Sequence, residues 1–439
     1  MRILKFGGTS VGTPERMRHV ADLITADSHR KIVVLSAVSG TTNALVSIGE
    51  SLFAKNKTGA FNKIDELYNQ YIKFIKELYG DPEISARGKE AIESHFSFMK
   101  SLINAFFNPR LNNELLAQGE LISTKLFSLY LKERKIEARL LPALDFMYID
   151  PDKEPDIDYI RDHLAPFLDD HNLPAILITQ GYICRNHEGE IENLKRGGSD
   201  YTATLIGAAL KAEEVQIWTD IDGMHNNDPR VVDKTYPIAT LSFNEASELA
   251  YFGAKILHPA SIWPTQKFNV PVLLKNTMDP GAPGTIINQT EDDVSVKAVA
   301  AKDGITAIKI RSSRMLLAFG FLRKIFEVFE KYRTPIDMIT TSEVAVSLTI
   351  DDKTHLNDII RELEPFGEIA VDENQTIICM SGNSIINQWD LLPKLFEALR
   401  GIPVRMISYG GSKYNISLLI ESSCKKAALQ GLNKHIFNL

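Results

Sequence analysis

The sequence has few cysteines, no excess of positive charge and no long apolar run. Cys184, Cys379 and Cys424 are the only cysteines, and their wide spacing argues against a disulfide scaffold or a zinc module and favours a reducing compartment. The formal net charge is −7, from 49 Lys and Arg against 56 Asp and Glu, which disfavours a nucleic-acid-binding protein. No apolar run reaches the ~18 residues that span a membrane, and Gly7-Gly8 follows the first residue too closely for a signal peptide. A cytoplasmic protein is therefore expected.

The sequence does contain a regular alternation of strand and helix patterns. Residues 2–6 and 31–36 have strand character, and Thr13-Pro14 between them starts a helix with apolar residues at helical spacing. A strand, a helix and a buried strand form a βαβ unit, which predicts an α/β fold with a parallel sheet. Further strands are predicted near 136–141, 173–180, 214–219 and 270–275, with helices near 156–171, 200–212 and 242–252.

The last third of the chain contains an internal repeat. KIFEVFEKYRTPIDMITTSEVAVSLTI starts at Lys324, and KLFEALRGIPVRMISYGGSKYNISLLI starts at Lys394. Both segments combine a helix, the pattern Pro-[Ile/Val]-x-Met-Ile-[Thr/Ser] and a strand. The repeat predicts two small related βα domains that pack together.

Two glycine-containing segments carry residues suited to binding anions. Lys5-Phe6-Gly7-Gly8 ends a buried strand, and glycines there allow backbone N–H groups to approach an anion closely. This segment is neither a Walker A loop nor a dinucleotide fingerprint, because the lysine precedes the glycines and Thr9 replaces a required glycine. Arg196-Gly197-Gly198-Ser199-Asp200 starts a helix, and arginine can bind a carboxylate through two parallel hydrogen bonds.

Two further segments are ambiguous when taken alone. Trp218-Thr219-Asp220-Ile221-Asp222-Gly223 places carboxylates at the end of a parallel strand, where α/β sheets bind ligands, but a simple turn explains it equally well. Lys255 lies in the segment FGAKILHP. Taken alone, it is more typical of a solvated cation at the end of a helix than of a functional residue. His258 before a proline is more typical of a structural hydrogen-bonding residue than of a base.

Together these segments resemble the aspartate kinases of the amino-acid kinase superfamily. The matching motifs are KFGGTSV at 5–11, LSAVSGTTN at 35–43, QGE at 118–120, RGGSDYTA at 196–203, WTDIDG at 218–223, DPR at 228–230 and FGAKILHP at 252–259. The segment TTSE at 340–343 resembles the paired ACT regulatory domains of that family. The resemblance covers nearly the whole chain and is strongest to the monofunctional, lysine-sensitive class.

The resemblance implies a three-layer α/β/α amino-acid kinase fold with a mainly parallel central sheet, followed by two ferredoxin-like βαββαβ ACT domains. The expected catalytic domain covers residues 1–290 and includes a helical segment at about 61–135. The expected tandem ACT region covers 297–439. Its first unit lies at about 305–370, and its second unit lies at about 371–439 with an added strand near 297–301.

The implied reaction is ATP-dependent phosphorylation of the β-carboxylate of L-aspartate to 4-phospho-L-aspartate, the first step towards lysine, threonine and methionine. The substrate carboxylate is itself the nucleophile, so the protein must position the reactants and neutralise charge. Lys5 and Asp200 are the expected catalytic residues, with Asp200 orienting Lys5 between the phosphates. Mg²⁺ is expected to accompany ATP, and no protein ligand for it is predicted.

The same resemblance implies two sets of binding residues. The nucleotide set is Lys5, Phe6, Gly7, Gly8, Thr219, Asp220, His225, Arg230, Lys255 and Ile256. The aspartate set is Ser36, Thr42, Glu120, Arg196, Gly197, Gly198 and Ser199. Arg196 would bind the α-carboxylate and Glu120 the α-ammonium. His225 stands where family members often have an aromatic residue, commonly tyrosine.

The two repeats differ at a position that bears on regulation. Copy one has Asp337 where copy two has Arg405. Asp337 would attract the ammonium of an effector amino acid and Arg405 would repel it, so copy one is predicted to bind the effector. By resemblance the effector is lysine, and its site is lined by Met315, Ala318, Gly320, Phe321, Leu322, Asp337, Ser342 and Glu343. An ordinary surface role for Asp337 is the alternative.

Small ACT units expose sheet edges, so a homodimer or a dimer of dimers is expected. Two alternative functions remain open from the sequence. One is another amino-acid kinase, acting on glutamate or an N-acylated amino acid. The other is a catalytically inactive amino-acid sensor of the same fold. The sequence also leaves open whether the effector is lysine, threonine or both.

Overall fold

The computed structural model describes residues 1–194, 197–253, 257–292, 296–312, 315 and 319–439. Arg196, Lys255, Ile256 and Ala318 therefore lie outside the described residues. The chain divides into two compact units. The first comprises Met1–Met224, Ala239–Phe243 and Ile256–Gln289. The second comprises His225–Ile238, Asn244–Lys255 and Thr290–Leu439.

The strands up to residue 289 are β1 (Arg2–Phe6), β2 (Lys31–Leu35), β3 (Ala138–Leu141), β4 (Ile176–Gln180), β5 (Ile183–Arg185), β6 (Ile191–Asn193), β7 (Glu214–Thr219), β8 (Thr240–Ser242), β9 (Val272–Asn276) and β10 (Thr285–Asn288). The helices over the same range are α1 (Pro14–Thr25), α2 (Thr41–Phe53), α3 (Lys57–Leu78), α4 (Pro82–Ser101), α5 (Pro109–Glu133), α6 (Ile157–Leu168), α7 (Gly198–Ala209), α8 (Phe243–Tyr251) and α9 (Trp263–Phe268). Most of α8 belongs to the second unit.

The described part of the first unit contains a central sheet of eight strands. Their order is β3-β4-β2-β1-β7-β9-β10-β8. Neighbouring strands are parallel except for the antiparallel pair β9 and β10. Phe6 lies opposite Leu35 of β2 and Trp218 of β7, so these three strands end at the same edge. The mainly parallel sheet predicted from the sequence is confirmed.

Helices cover both faces of this sheet. Gly207 of α7 approaches Ile3 and Val215 on one face, with an added Cβ at 2.4 Å from Val215 Cγ2 and 3.8 Å from Ile3 Cγ1. On the other face, Phe6 lies in one buried cluster with Met17 of α1 and Leu126 of α5. The predicted three-layer α/β/α arrangement follows. The helices α3, α4 and α5 correspond to the helical segment expected at about 61–135.

The elements of the second unit that follow residue 289 are β11 (Ala298–Arg311), α10 (Phe321–Lys331), β12 (Ile339–Thr341), β13 (Ala345–Ile350), α11 (Leu356–Leu363), β14 (Glu368–Ser381), α12 (Leu391–Ala398), β15 (Val404–Tyr409), β16 (Asn415–Glu421) and α13 (Lys425–Ile436). The strands form an antiparallel sheet in the order β12-β13-β11-β14-β16-β15. Among the described residues, no helix has the length and apolar character needed to cross a membrane.

Two long strands are shared between the two halves of this sheet. The pairing of β11 with β14 shifts register between Lys302 and Ala307, which divides each strand into two parts. Half one has the order β12-β13-β11-β14, and half two has the matching order β15-β16-β14-β11. Helices α10 and α11 cover half one, and α12 and α13 cover half two. The sequence repeat corresponds to α10-β12-β13 in one half and α12-β15-β16 in the other.

Candidate functional site

Lys5 and Asp200 meet at the edge where β1 ends. Lys5 Nζ lies 2.6 Å from Asp200 Oδ1, and the two side chains are only 11% and 13% exposed. Asp200 is in the first turn of α7, where the positive end of the helix dipole favours negative charge. The pair predicted as catalytic is thus assembled from two segments that are far apart in sequence.

The loop after Lys5 presents backbone donors beside this pair. The N–H groups of Gly8 and Thr9 have no hydrogen-bond partner among the described residues. A Cβ on Gly7 would lie 3.4 Å from Lys5 Nζ, and one on Gly8 would lie 3.1 Å from the carbonyl oxygen of Ala37. Glycine at position 8 therefore lets the loop pass close to the Ala37 carbonyl oxygen, and the N–H groups of Gly8 and Thr9 can donate to an anion.

The start of α7 is packed closely against His258 and against the segment after β4. Gly197 has φ +80°, and a Cβ there would lie 2.5 Å from His258 Cβ. A Cβ on Gly198 would lie 2.5 Å from the ring of Tyr182, and one on Gly181 would lie 2.5 Å from Ser199. Tyr182 itself has φ +70°, a left-handed conformation that is costly for a non-glycine residue and that often marks functional sites.

Glu120 is a buried carboxylate with one open oxygen. It lies in α5, is 4% exposed, and its Oε1 accepts a hydrogen bond from the Ala37 N–H at 3.2 Å. Its Oε2 has no partner among the described residues. Burial raises the pKa of Glu120 to about 8, since little compensates the charged form. A cationic ligand group would supply that compensation.

Four other predicted binding residues of the first unit lie after strands or at the start of a helix: Ser36, Thr42, Thr219 and Asp220. Ser36 follows β2 and donates its N–H to the Phe6 carbonyl at 3.2 Å. Thr219 ends β7, and its hydroxyl donates to Asp220 at 3.2 Å. Thr42 is exposed in the first turn of α2. The structure thus gathers Lys5, Ser36 and Thr219 at one edge of the sheet.

Phe6 differs from the other predicted nucleotide residues. Its side chain is fully buried and stacks on Trp218 with ring centroids 5.6 Å apart. It points to the sheet face opposite Lys5, since successive side chains of a strand alternate. Only the backbone of Phe6 is available to a ligand.

Two predicted nucleotide residues belong to the second unit. His225 Nδ1 lies 2.7 Å from Thr235 Oγ1. Arg230 makes two hydrogen bonds of 2.9 Å to the Asp228 carboxylate, and its side chain is 72% exposed. These hydrogen bonds raise the pKa of Arg230 and lower that of Asp228.

Asp337, the predicted effector residue, lies in a group that we name the Asp337 cluster: Tyr251, Lys302, Asp337 and Asp351. Asp337 Oδ1 accepts from Lys302 Nζ at 2.6 Å and from the Tyr251 hydroxyl at 3.1 Å. Lys302 Nζ also lies 2.9 Å from Asp351 Oδ2. The Asp337 side chain is 1% exposed, yet its Oδ2 has no partner among the described residues. Burial raises the pKa of Asp337.

The other predicted effector residues are spread over half one. Gly320 caps the start of α10, which begins with Phe321 and Leu322, and Met315 packs on the core of this half. Ser342 and Glu343 are exposed in the turn after β12. Asp337 precedes β12, so an extended strand would separate it from Ser342 by ~16 Å. The described chain does not bring these two ends of β12 together.

Arg405 of half two has a different environment from Asp337. It is 43% exposed and pairs with Asp372 at 3.1 Å and with Glu421 at 3.2 Å. Both its neighbours are carboxylates that balance its charge. Half two therefore has a cation, already paired with two exposed carboxylates, at the position where half one has a buried acid.

Several residues near the predicted sites were missed from the sequence. Tyr71 of α3 is 3% exposed, and its hydroxyl lies 2.8 Å from Thr41 Oγ1 at the start of α2. Tyr71 has the helical spacing of a core residue, and no local pattern distinguishes its polar end. Tyr251 and Lys302 were missed because no local sequence pattern indicates that they contact Asp337. Among the described residues, no group of three His, Cys, Asp or Glu side chains has metal-binding geometry.

Comparison with known families agrees with this geometry. A model of the amino acid kinase family matches residues 1–276, and a model of the ACT domain matches residues 378–436. The fold class predicted from the sequence is therefore confirmed.

Individual proteins are similar over almost the full chain. Aspartokinase 1, chloroplastic, of Arabidopsis thaliana is 35% identical over 99% of this chain and 80% of its own length. Lysine-sensitive aspartokinase 3 of Escherichia coli (strain K12) is 33% identical over 99% of both sequences. The crystal structure of E. coli aspartokinase III in complex with aspartate and ADP matches with a TM-score of 0.88 and 33% identity, covering 100% of both chains. The chain therefore belongs to the aspartokinases of the amino acid kinase family.

Proposed function

We propose that this protein transfers the γ-phosphoryl group of ATP to the β-carboxylate of L-aspartate, giving 4-phospho-L-aspartate and ADP. The observation that carries the proposal is the Lys5–Asp200 pair in the loop region of Gly8 and Thr9, whose N–H groups have no partner among the described residues. The same unit contains a buried carboxylate, Glu120, with one oxygen that is likewise unpaired within the described part of the chain. Similarity to relatives named aspartokinases supports the choice of substrate.

The geometry suits a reaction that needs no base from the protein. The attacking carboxylate is already ionised at neutral pH. Lys5 would neutralise negative charge on the transferring phosphoryl group, while Asp200 fixes the direction of Lys5 and the Gly8 and Thr9 N–H groups bind phosphate oxygens. Such fixed donors stabilise charge without reorganising during the reaction.

The amino-acid pocket would use Glu120 for the substrate ammonium. Its open Oε2 supports this role, because an ammonium would complete the hydrogen bonding of a buried carboxylate. Arg196, which lies outside the described residues, is assigned to the α-carboxylate on the basis of its motif alone. Ser36, Thr42, Gly197, Gly198 and Ser199 complete the proposed pocket.

The nucleotide side would include Thr219, Asp220, His225 and Arg230 together with Lys255 and Ile256. Mg²⁺ is proposed to enter bound to ATP, because this ion usually keeps water ligands and binds through substrate phosphates and few protein carboxylates. When bound, it would share the neutralisation of phosphate charge with Lys5.

Half one of the second unit is proposed to bind lysine as a feedback inhibitor. The open Oδ2 of buried Asp337 supports an ammonium site there, and the name of the lysine-sensitive relative supports the effector. Association with a second copy is also proposed. Phe319, Leu322 and Phe326 are 103%, 37% and 39% exposed, and β12 is an edge strand of the sheet. A cytoplasmic location and the domain boundaries expected from the sequence remain predictions.

The test is a phosphorylation assay with the full chain and Mg-ATP on aspartate, glutamate and N-acetylglutamate. We expect an acid-labile acyl phosphate and stoichiometric ADP with aspartate only. Preference for another substrate would support a different amino-acid kinase. Absence of ADP release, together with retained binding of an amino acid, would support a catalytically inactive sensor.

A further inference from the structure

Two buried hydroxyl groups meet where the loop after β1 approaches the end of β9. Ser10 and Thr277 are 2% and 1% exposed, and their hydroxyl oxygens lie 2.7 Å apart. Ser10 Oγ also donates to the Trp218 carbonyl at 3.4 Å, so Thr277 is the donor in the hydrogen bond between the two hydroxyls. A buried hydroxyl is costly when unpaired, and these contacts satisfy both side chains.

The Trp218 carbonyl holds both ends of the loop. It accepts the Gly7 N–H at 3.4 Å as well as the Ser10 hydroxyl. Within the loop, the Ser10 N–H donates to the Gly7 carbonyl at 2.9 Å. Gly8 and Thr9 lie between these two attached residues, and their N–H groups have no partner in the described ranges. The loop is therefore fixed at its ends, and the N–H groups proposed to bind phosphate lie between the fixed points.

The backbone of Thr277 extends the connection to β7 and α1. Its N–H donates to the Thr219 carbonyl at 2.7 Å. Its carbonyl oxygen lies 2.7 Å from His19 Nε2, which must be the donor because a carbonyl only accepts. Thr219 ends β7 and is followed by Asp220, and both are proposed nucleotide residues. The hydroxyl pair thus joins the loop proposed to bind phosphates to the strand end proposed to bind another part of the nucleotide.

We propose that Ser10 and Thr277 are positioning residues, whose hydrogen bond sets the place of the loop N–H groups relative to the nucleotide residues at the end of β7. This inference rests on the proposed phosphoryl transfer from ATP. Both side chains are buried, so they act through the backbone groups to which they are attached. Donors that are fixed before binding stabilise a phosphate without reorganising. The contacts of this network include no residue of the proposed aspartate set, so the effect should be confined to the nucleotide.

The test uses the full chain with Ser10→Ala and Thr277→Val, each of which removes one hydroxyl. Calorimetry with Mg-ADP should show about three- to tenfold weaker binding by each variant, the equivalent of one neutral hydrogen bond. Steady-state kinetics should show the KM for ATP raised by a similar factor and the KM for aspartate within about twofold of wild type. A residue that only stabilised the fold would change both KM values or neither.

Three further variants separate positioning from packing. Thr277→Ser retains the hydroxyl and should bind ADP within about twofold of wild type. The double variant Ser10→Ala/Thr277→Val should bind ADP no more weakly than Ser10→Ala alone, because both changes break the same hydrogen bond. Thr265→Val is the matched control, since Thr265 is fully buried and its hydroxyl donates to the nearby Ile262 carbonyl at 2.8 Å. It should retain wild-type binding of ADP.

Thermal unfolding would show whether the variants fold. If Ser10→Ala and Thr277→Val do not, His19→Leu is the milder change, because it removes only the donor to the Thr277 carbonyl from the half-buried side of α1. It should weaken ADP binding by at least about twofold. Wild-type binding of ADP by a folded His19→Leu would then overturn the inference.

The outcomes distinguish this inference from the function on which it rests. A wild-type chain that neither binds ADP nor forms it from ATP and aspartate would overturn both. A wild-type chain that does both, together with Ser10→Ala and Thr277→Val variants that bind ADP equally tightly, would overturn the positioning role alone. Equal weakening in Thr277→Val, Thr277→Ser and Thr265→Val would show a general loss of rigidity and would also overturn that role.

Discussion

The two units each contain a lysine–carboxylate pair with the same 2.6 Å separation, and the surroundings of the pairs differ. Lys5 and Asp200 balance one another, and the nearby N–H groups of Gly8 and Thr9 have no partner in the part of the chain that the structure describes. In the second pair, Lys302 Nζ also lies 2.9 Å from a second carboxylate, that of Asp351. One oxygen of Asp337, Oδ2, has no partner among the described residues. The first environment attracts an anion such as a phosphate, and the second attracts a cation such as an ammonium. The sign of the ligand depends on what surrounds the pair.

The largest effect is expected at the first pair. Lys5→Ala should lower kcat by at least about 100- to 1,000-fold, because it removes a fixed charge aimed at the transferring group. Lys275→Ala is the matched control, since Lys275 lies one strand beyond β7 with Nζ 5.2 Å from the ring of Trp218, on the face opposite Lys5. Steady-state kinetics and thermal unfolding of both variants would check this. Near-wild-type turnover in Lys5→Ala would contradict its role.

The second effect concerns the open oxygen of Asp337. Asp337→Ala should raise the lysine concentration for half-inhibition by about tenfold or more, within the usual range of allosteric coupling. Arg405→Ala, the equivalent change in half two, should leave inhibition unaltered, because Arg405 is exposed and already paired. Inhibition curves with lysine, and separately with threonine, would test this. Wild-type sensitivity in Asp337→Ala would place the effector elsewhere.

A third effect extends the comparison to Glu120, which like Asp337 is a buried carboxylate with one oxygen unpaired among the described residues. Because burial raises its pKa to about 8, most of Glu120 is protonated at neutral pH without a ligand. Only the ionised form pairs with an ammonium, so the KM for aspartate should fall about tenfold as pH rises from about 7 to about 9. Glu120→Gln should have a high KM without this dependence. A pH-independent KM in the wild-type chain would contradict the role of Glu120.

The smallest effect is expected at Tyr71, which contacts the start of α2 beside the proposed aspartate pocket. Tyr71→Phe should raise the KM for aspartate by about two- to tenfold, the equivalent of one neutral hydrogen bond, and leave the KM for ATP unchanged. Tyr79→Phe removes a comparable buried hydroxyl from the same helical segment, where it donates to the Leu126 carbonyl at 2.8 Å. If both variants changed the KM for aspartate equally, Tyr71 would have only a structural role.

Much of the fold was predictable because its signals are local. The Thr13 cap, the helical spacing of Met17 and Val20, and the buried β2 follow from neighbouring residues, and all appear in the structure. Strand β10 and the hairpin of β5 and β6 were missed, because they are only three or four residues long and lack a clear periodic pattern. Short strands are defined by their pairing partners more than by their own sequence.

The candidate site was predictable where glycines and charges form motifs. Lys5, Gly7, Gly8 and Asp200 were named from such motifs, and the structure brings Lys5 and Asp200 into contact. Phe6 belongs to the same motif, yet its side chain faces the core because strand residues alternate between faces. Membership of a motif therefore did not settle which atoms of a residue can reach a ligand.

By itself, the sequence determined the alternation of strands and helices, the duplicated second unit and the presence of an acid in only one copy. Only the tertiary structure decided that β11 and β14 serve both halves, and that Asp337 meets Lys302 and Tyr251 while keeping one oxygen open. The reason is physical. Hydrophobic periodicity depends on residues that are close together in the sequence. Compensation of a buried charge depends on groups that folding brings together, and for Asp337 these are Lys302 and Tyr251, which lie 35 and 86 positions away.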